Sequence, residues 1–272
     1  MAADLTHGQA VIAATATAVT KTLVGTIELP TRQTGWTIDK LSAQIVPQTL
    51  TAAEAVGGII SLDSVSGDIV PDPRPSNFPI YALGSFLGAT HPQINCPLHD
   101  YPLNLQAAGK ANINFNFSLD IAATAAPIIA AGVKYGPAIA LAKPFQFCDR
   151  VRSTITVNTN TQVGTIQLSE KATRITGILG VLQQDGVITA AEELAGIFSL
   201  RSDDVDLVPS FWLFNDIFSA GLGALIAGGE ASPPKPHVVD IPVPGGARID
   251  CFVDLLTAVT NAADVSIFLF YE

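Results

Sequence analysis

Charge is scarce in this chain. Only 14% of its 272 residues are Asp, Glu, Lys or Arg, against about 25% in an ordinary soluble domain. A chain so poor in charge hides much of its surface, either in a large core or against neighbours. Basic charge is scarcer still: 14 Lys and Arg face 24 Asp and Glu, for a formal net charge of −10. That balance argues against a surface that grips nucleic acid or anionic lipid by simple attraction.

Cysteine is limited to Cys96, Cys148 and Cys251. Their number is odd and their spacing fits no metal-ligand pattern. Each lies beside apolar or strand-like residues, so buried free thiols are expected. Long apolar runs are missing too. LDIAATAAPIIAAGV is broken by Pro127, and FWLFNDIFSAGLGALIAGG by Asn215 and Asp216. Neither offers the roughly 20 clean residues of a membrane helix. The N-terminus has no basic start before its first apolar run, so no secretory signal is expected.

Motifs of chemistry are equally thin. GLGALIAGG has Gly221 and Gly223 but Ile226 where a dinucleotide fingerprint needs its third glycine. No G-x-S-x-G nucleophile turn occurs. His7, His91, His99 and His237 lie in loop-like or Pro-flanked segments and read as surface histidines. Asp63, Asp68 and Asp72 form one acidic cluster, and Asp203, Asp204 and Asp206 another. Asp oxygens gathered on a turn can hold calcium, but the glutamate that closes an EF-hand loop is absent. Turn chemistry accounts for both clusters. No metal site is expected; Asp203, Asp204 and Asp206 come nearest to one. No catalytic residue and no cofactor are expected.

What is present is a duplication. VGTI with Leu two residues on occurs at Val24–Leu29 and again at Val163–Leu168. TAAE recurs at Thr51–Glu54 and Thr189–Glu192, and GI-x-SL at Gly58–Leu62 and Gly196–Leu200. D-x-V-P closes the block at Asp68–Pro71 and Asp206–Pro209. DYPL at Asp100 answers DIPV at Asp240, and ANINF at Ala111 answers ARIDC at Ala247. The repeat unit of about 130 residues far exceeds the 20–50 of solenoids and propellers and is long enough to close its own core. The expected layout is a first domain over 1–136, a packed linker over 137–150 and a second domain over 151–272.

Each copy reads as short strands. In KANINFNFSLD, Ile113, Phe115 and Phe117 alternate with Asn112, Asn114 and Asn116, the period of a half-buried strand. WTIDKLSAQIVP, ITGILGVLQQ, GIISLDS, GIFSLRS, IIAAGVKYG and VSIFLFYE are further strands. Seven or eight strands per copy point to a sandwich or barrel. Two helical excursions are expected in each copy. The first is a capping box, with Thr51 or Thr189 at the start, Glu54 or Glu192 reaching back, and Gly58 or Gly196 ending the turn. The second lies in NFPIYALGSFLGA and SFWLFNDIFSAGLGALIAGG. The copies differ most there, so partner contacts are expected at Phe86, Phe211, Trp212, Phe214 and Phe218.

A duplicated, acidic, charge-poor β chain of this length, with a helical excursion in each copy, resembles the double jelly-roll major capsid proteins of tailless icosahedral double-stranded DNA viruses. The resemblance covers essentially the whole chain. It implies an all-β fold of two tandem eight-stranded antiparallel jelly rolls. It also implies a homotrimer whose six barrels form a pseudo-hexagonal tile of a shell, and no enzymatic activity. Its further partners would be minor capsid proteins and an internal membrane, with no direct nucleic-acid contact. Its place would be the virion capsid, after synthesis in the host cytoplasm. Two alternatives stand beside it: a cellular filament, surface-layer or matrix subunit of paired sandwiches, and a carbohydrate- or ligand-binding jelly roll.

Overall fold

In the strand Asn112–Leu119, Ile113, Phe115 and Phe117 are buried, as the two-residue period requires. Similar alternation runs through His99–Ala107 and Arg248–Leu255. The computed structural model describes residues 8–15, 20–46, 56–64, 67–70, 76–87, 91–95, 98–120, 122, 126–137, 146–155, 159–184, 196–222, 236–256 and 263–272.

The first half holds β1 (Gly8–Thr15), β2 (Thr22–Glu28), β3 (Trp36–Val46), β4 (Gly57–Asp63), β5 (Ile69–Val70) and β6 (Phe78–Tyr81). It continues with β7 (Leu83–Leu87), β8 (His91–Asn95), β9 (His99–Ala107), β10 (Asn112–Leu119) and β11 (Ile128–Pro137). One sheet runs β1-β11-β3-β9-β5 and its companion β2-β10-β4-β6. Set aside the short β5 and the separate hairpin β7–β8, and number the remaining eight strands in chain order. The sheets then read 1-8-3-6 and 2-7-4-5, the double Greek key of a jelly roll.

The second half holds β12 (Phe147–Ile155), β13 (Thr161–Gln167), β14 (Arg174–Gln184), β15 (Gly196–Arg201) and β16 (Phe211–Leu213). After these come α1 (Phe214–Ile217), β17 (Phe218–Leu222), β18 (His237–Pro242), β19 (Arg248–Leu255) and β20 (Ala263–Tyr271). β12, β20, β14 and β18 pair in that order, and β13-β19-β15-β16 form the other sheet. With the extra strand β17 set aside, the orders are again 1-8-3-6 and 2-7-4-5. The chain is a double jelly-roll protein, two sandwiches of one topology.

By packing, it divides into two compact units. One comprises Met1–Thr49, Val56–Ala82 and Cys96–Phe147; the other comprises Leu50–Ala55, Leu83–Asn95 and Cys148–Glu272. The first core gathers Leu29, Ile38, Leu41, Ile60, Phe78, Phe115 and Phe117, and the second gathers Phe198, Trp212, Ile249, Val253, Phe268 and Phe270. β20 is buried along almost its whole length, which is why its sequence is nearly unbroken apolar.

The repeated motifs mark backbone geometry. Along β10, Phe115 pairs with Gly25 and Asn116 with Leu23, so Val24 is an extra, bulged residue. Along β19, Cys251 pairs with Gly164 and Phe252 with Gln162, leaving Val163 bulged in the same way. VGTI is therefore a bulge used twice. The glycines of GI-x-SL lie in strands, where helix ends are expected from the sequence. A Cβ on Gly58 would come 1.9 Å from the Ser118 carbonyl oxygen, and one on Gly196 2.2 Å from that of Asp254. Close approach to the neighbouring strand is why glycine recurs there.

The second pair of excursions carries little helix. In the first copy, Phe78–Tyr81 is a strand registered on Gly57–Ile60, followed by the β7–β8 hairpin. In the second, the described residues hold a single helical turn, α1, between two strands. Phe78 and Ile80 alternate as strand residues do, and pairing on β4 satisfies their backbone, so helix has no advantage. The capping boxes Thr51–Glu54 and Thr189–Glu192 lie outside the described residues.

Candidate assembly surface

The β2-β10-β4-β6 sheet and its counterpart β13-β19-β15-β16 each turn one face to the core and one outward. The outward faces differ in chemistry. In the first jelly roll the outward residues of three strands form a polar ladder. Thr26 Oγ1 donates to Asn114 Oδ1 at 2.7 Å. Asn114 Nδ2 donates to Asp63 Oδ1 at 3.0 Å, and Asn116 Nδ2 to Asp63 Oδ2 at 2.8 Å. These cross-strand bonds satisfy the buried Asn114 and the half-buried Asn116 and Asp63.

The second jelly roll keeps one rung. Asp250 stands at the place of Asn114 and accepts hydrogen bonds from Thr165 Oγ1 and, at 2.9 Å, from Gln162 Nε2. Beyond that rung the ladder is replaced. Phe252 stands for Asn116 and Arg201 for Asp63, and the Arg201 guanidinium lies 4.1 Å from the Phe252 ring centre. On the edge strand, Phe211 and Leu213 are 63% and 67% exposed, and Ile197 beside them is 41% exposed. Register places Ile197 opposite Leu213 and Asp254, and Ser199 opposite Phe211 and Phe252. Leu256, just past the end of β19, is exposed as well.

Of the residues expected to meet a partner, Phe211 is exposed. Trp212, Phe214 and Phe218 are buried, and this corrects the expectation for them. The cause is the two-residue period of β16: Phe211 and Leu213 point out, so Trp212 points in. There Trp212 packs on Phe198 with ring centres 5.8 Å apart, and Phe214 stacks on Phe218 at 4.0 Å. Phe86 lies in β7, but its side chain is outside the described part of the structure. Ile197 could have been found from the alternation at the start of β15; Leu213 could not, because the three residues of β16 are too few to show a period.

Asp203, Asp204 and Asp206 are exposed in the loop between β15 and β16. Asp204 Oδ2 accepts the Arg248 backbone N–H at 2.9 Å, and the Asp204 N–H donates to Ser202 Oγ at 3.1 Å. The loop is thus tied to β19 by turn chemistry. Among the described residues no group of His, Cys, Asp and Glu is placed to hold a metal ion.

His99 is not a surface histidine. It is buried at the start of β9, and its Nε2 lies 2.9 Å from the Tyr81 carbonyl oxygen and 3.1 Å from the Tyr81 nitrogen. Beside it the Tyr81 hydroxyl donates to Asp120 Oδ2 at 2.7 Å, and the Tyr101 hydroxyl donates to the Pro79 carbonyl. Burial pulls the His99 pKa below its ordinary value, partly opposed by the Tyr81 backbone and the Asp100 charge. Cys148 and Cys251 are buried thiols outside any disulfide, and burial pushes both far above the usual thiol range. They stay protonated and poorly nucleophilic. Cys96 lies outside the described residues, as do His7 and Asp72. Among the described residues no helix is long and apolar enough to cross a membrane.

Neither a protein-family model nor a curated protein matches the sequence. Solved structures similar to the chain include the major capsid protein of Sulfolobus Turreted Icosahedral Virus. It shares 10% identity, with a TM-score of 0.42 over 97% of this chain and 96% of that one. PNGF-II is similar at 10% identity and a TM-score of 0.42, over 93% of this chain and 59% of that one. N-glycanase F is similar at 8% identity and a TM-score of 0.40, over 96% and 95%. The assignment of the fold rests on the strand order above.

Proposed function

We propose that this chain is a structural, self-assembling protein, and specifically a viral major capsid protein whose homotrimers tile an icosahedral shell. The observation that carries the reading is the same jelly-roll strand order laid down twice in one polypeptide. Two like barrels per chain let a three-fold assembly present six similar blocks, so a trimer packs as a hexagon would. The surface supports assembly. The chain is poor in charge, and it exposes Phe211 and Leu213 on one sheet edge, where a monomer gains nothing from them. The described polar clusters hold strands together, and the two described thiols are locked in their protonated form. A net charge of −10 leaves genome neutralisation to other components.

Jelly rolls host binding and catalysis as well as assembly. The apolar edge favours assembly over those. Electron microscopy of the purified protein tests the proposal. Six-lobed tiles or closed shells are expected. Particles of single-chain size under all salt and concentration conditions would overturn it, as would glycan release from a glycoprotein substrate abolished by a point substitution.

A further inference from the structure

We infer that His99 is an acid-sensitive latch in the first jelly roll: its neutral ring seals the free edge of β6 against β9, and protonation releases that edge. The latch works within one chain and stands apart from the assembly reading.

β6 is the last strand of its sheet, so one side of its backbone pairs with no described strand. The Ala82 N–H donates to the Val56 carbonyl at 2.9 Å, and backbone groups alternate in direction along a strand. The N–H and C=O of Tyr81 therefore point away from β4. The carbonyl of Gly57, opposite Tyr81, accepts instead from the Asp120 N–H at 2.9 Å. Pro79, two residues back, faces the same way and has no N–H to offer. Three polar groups thus lie on the free edge: the carbonyls of Pro79 and Tyr81 and the N–H of Tyr81. β9, from the other sheet, meets all three. The Tyr101 hydroxyl donates to the Pro79 carbonyl, and His99 Nε2 lies against both groups of Tyr81. His99 and Tyr101 share one face of β9, two residues apart, which matches the spacing of Tyr81 and Pro79. Tyr101 also stacks on Phe78, with ring centres 4.9 Å apart.

The proton count of the ring decides whether the seal holds. A neutral imidazole has one bare nitrogen, which can take the Tyr81 N–H. An imidazolium has none, so that N–H loses its acceptor and meets another N–H. The added charge is also buried, for His99 is 5% exposed. Among the described residues, the ionisable groups around it are Tyr81 on β6, Tyr101 and Asp100 on β9, and Asp120 after β10. Asp100 points to the opposite face of β9, where Ser42 donates to it at 2.6 Å and Lys40 and Lys134 offset its charge. Asp120 Oδ2 is taken by the Tyr81 hydroxyl. Neither carboxylate is paired with the ring, and burial outweighs the Tyr81 backbone and the Asp100 charge.

The second jelly roll lacks the device. Val239 and Ile241 stand at the places of His99 and Tyr101. Register puts Leu213 at the place of Pro79, and the chain then turns into α1, whose backbone bonds within itself. Release by acid is confined to the first barrel. Once released, β6 presents its bare carbonyls and N–H as a template for another strand.

Hydrogen exchange of the full chain, read by mass spectrometry and corrected for the intrinsic effect of pH, tests the latch. Between about pH 7.5 and about pH 5, the amides of Phe78–Ala82 are expected to lose protection about fivefold or more; one histidine of ordinary pKa sets a ceiling of ~30-fold at pH 5. At the lower pH their exchange is expected to be insensitive to low urea, the mark of local opening, while that of Asn112–Leu119 rises with urea. In His99→Gln, whose side chain does not titrate, the pH dependence at β6 is expected to vanish. Equal protection of Phe78–Ala82 at both pH values in the wild type overturns the inference. So does exchange of β6 and β10 with one common urea dependence, or an undiminished pH effect in His99→Gln. The two wild-type measurements decide the matter even where the variant does not fold, and neither depends on whether the chain assembles.

Discussion

At Gly58 and Gly196 one missing atom lets two strands approach. A methyl group there would press on a backbone carbonyl, which cannot swing aside as a side chain can. Gly196→Ala is expected to cost about 1–3 kcal/mol, seen by calorimetry as a melting temperature lower by several degrees. The turn before β10 offers the opposite change. Lys110 has φ of 65°, and Gly246 has φ of 76° at the matching position before β19. Lys110→Gly should relieve left-handed strain and raise stability, by about 1 kcal/mol or less. His99 makes stability depend on pH. Its folded pKa lies below its ordinary value of about 6.5, so as pH falls the unfolded chain takes up the proton first. Its stabilisation is full above about pH 6.5 and is lost as pH falls from there towards the folded pKa. The melting temperature is expected to fall between pH 7 and pH 5, and to fall less steeply in His99→Gln.

At the scale of the element, β16 is the sharpest case. Its three residues alternate out, in, out, so neighbouring aromatics have opposite roles. Trp212→Ala is expected to cost about 3–5 kcal/mol. Phe211→Ala should stay within roughly 0.5 kcal/mol in the isolated chain. Equal losses in thermal unfolding of the two variants would contradict the orientation of the strand. This strand also shows where sequence stops being legible. The alternation in Asn112–Leu119 was plain because eight residues carried it. Phe211–Leu213 is too short to show a period, and its run of Phe, Trp and Leu reads as one apolar block. The repeated VGTI was visible as a motif. Its meaning, a bulge at Val24 and Val163, needed the register of β10 and β19. His99 looked exposed because Pro97 and Pro102 frame it in a turn-like context, whereas tertiary packing buries it under Tyr81.

For the whole molecule, duplication preserved backbone architecture and freed the surfaces. The strand orders, the bulge and the close glycines are held in common, while the outward sheet faces have diverged into a polar ladder and an apolar band. That division fits a protein whose two barrels must fold alike yet touch different neighbours. The double fold was legible from the repeat because both copies spend their shared residues on bulges, turns and core. Which face meets a partner was only partly legible, since exposure depends on strand register that no local pattern reveals. In the proposed assembly, sister chains cover the exposed apolar residues of the second jelly roll. Mass measurement by light scattering during size-exclusion chromatography tests it most directly. A stable species of three times 28.4 kDa, or multiples of it, is expected. A single 28.4 kDa species at micromolar concentration and above, in low and moderate salt, would contradict it.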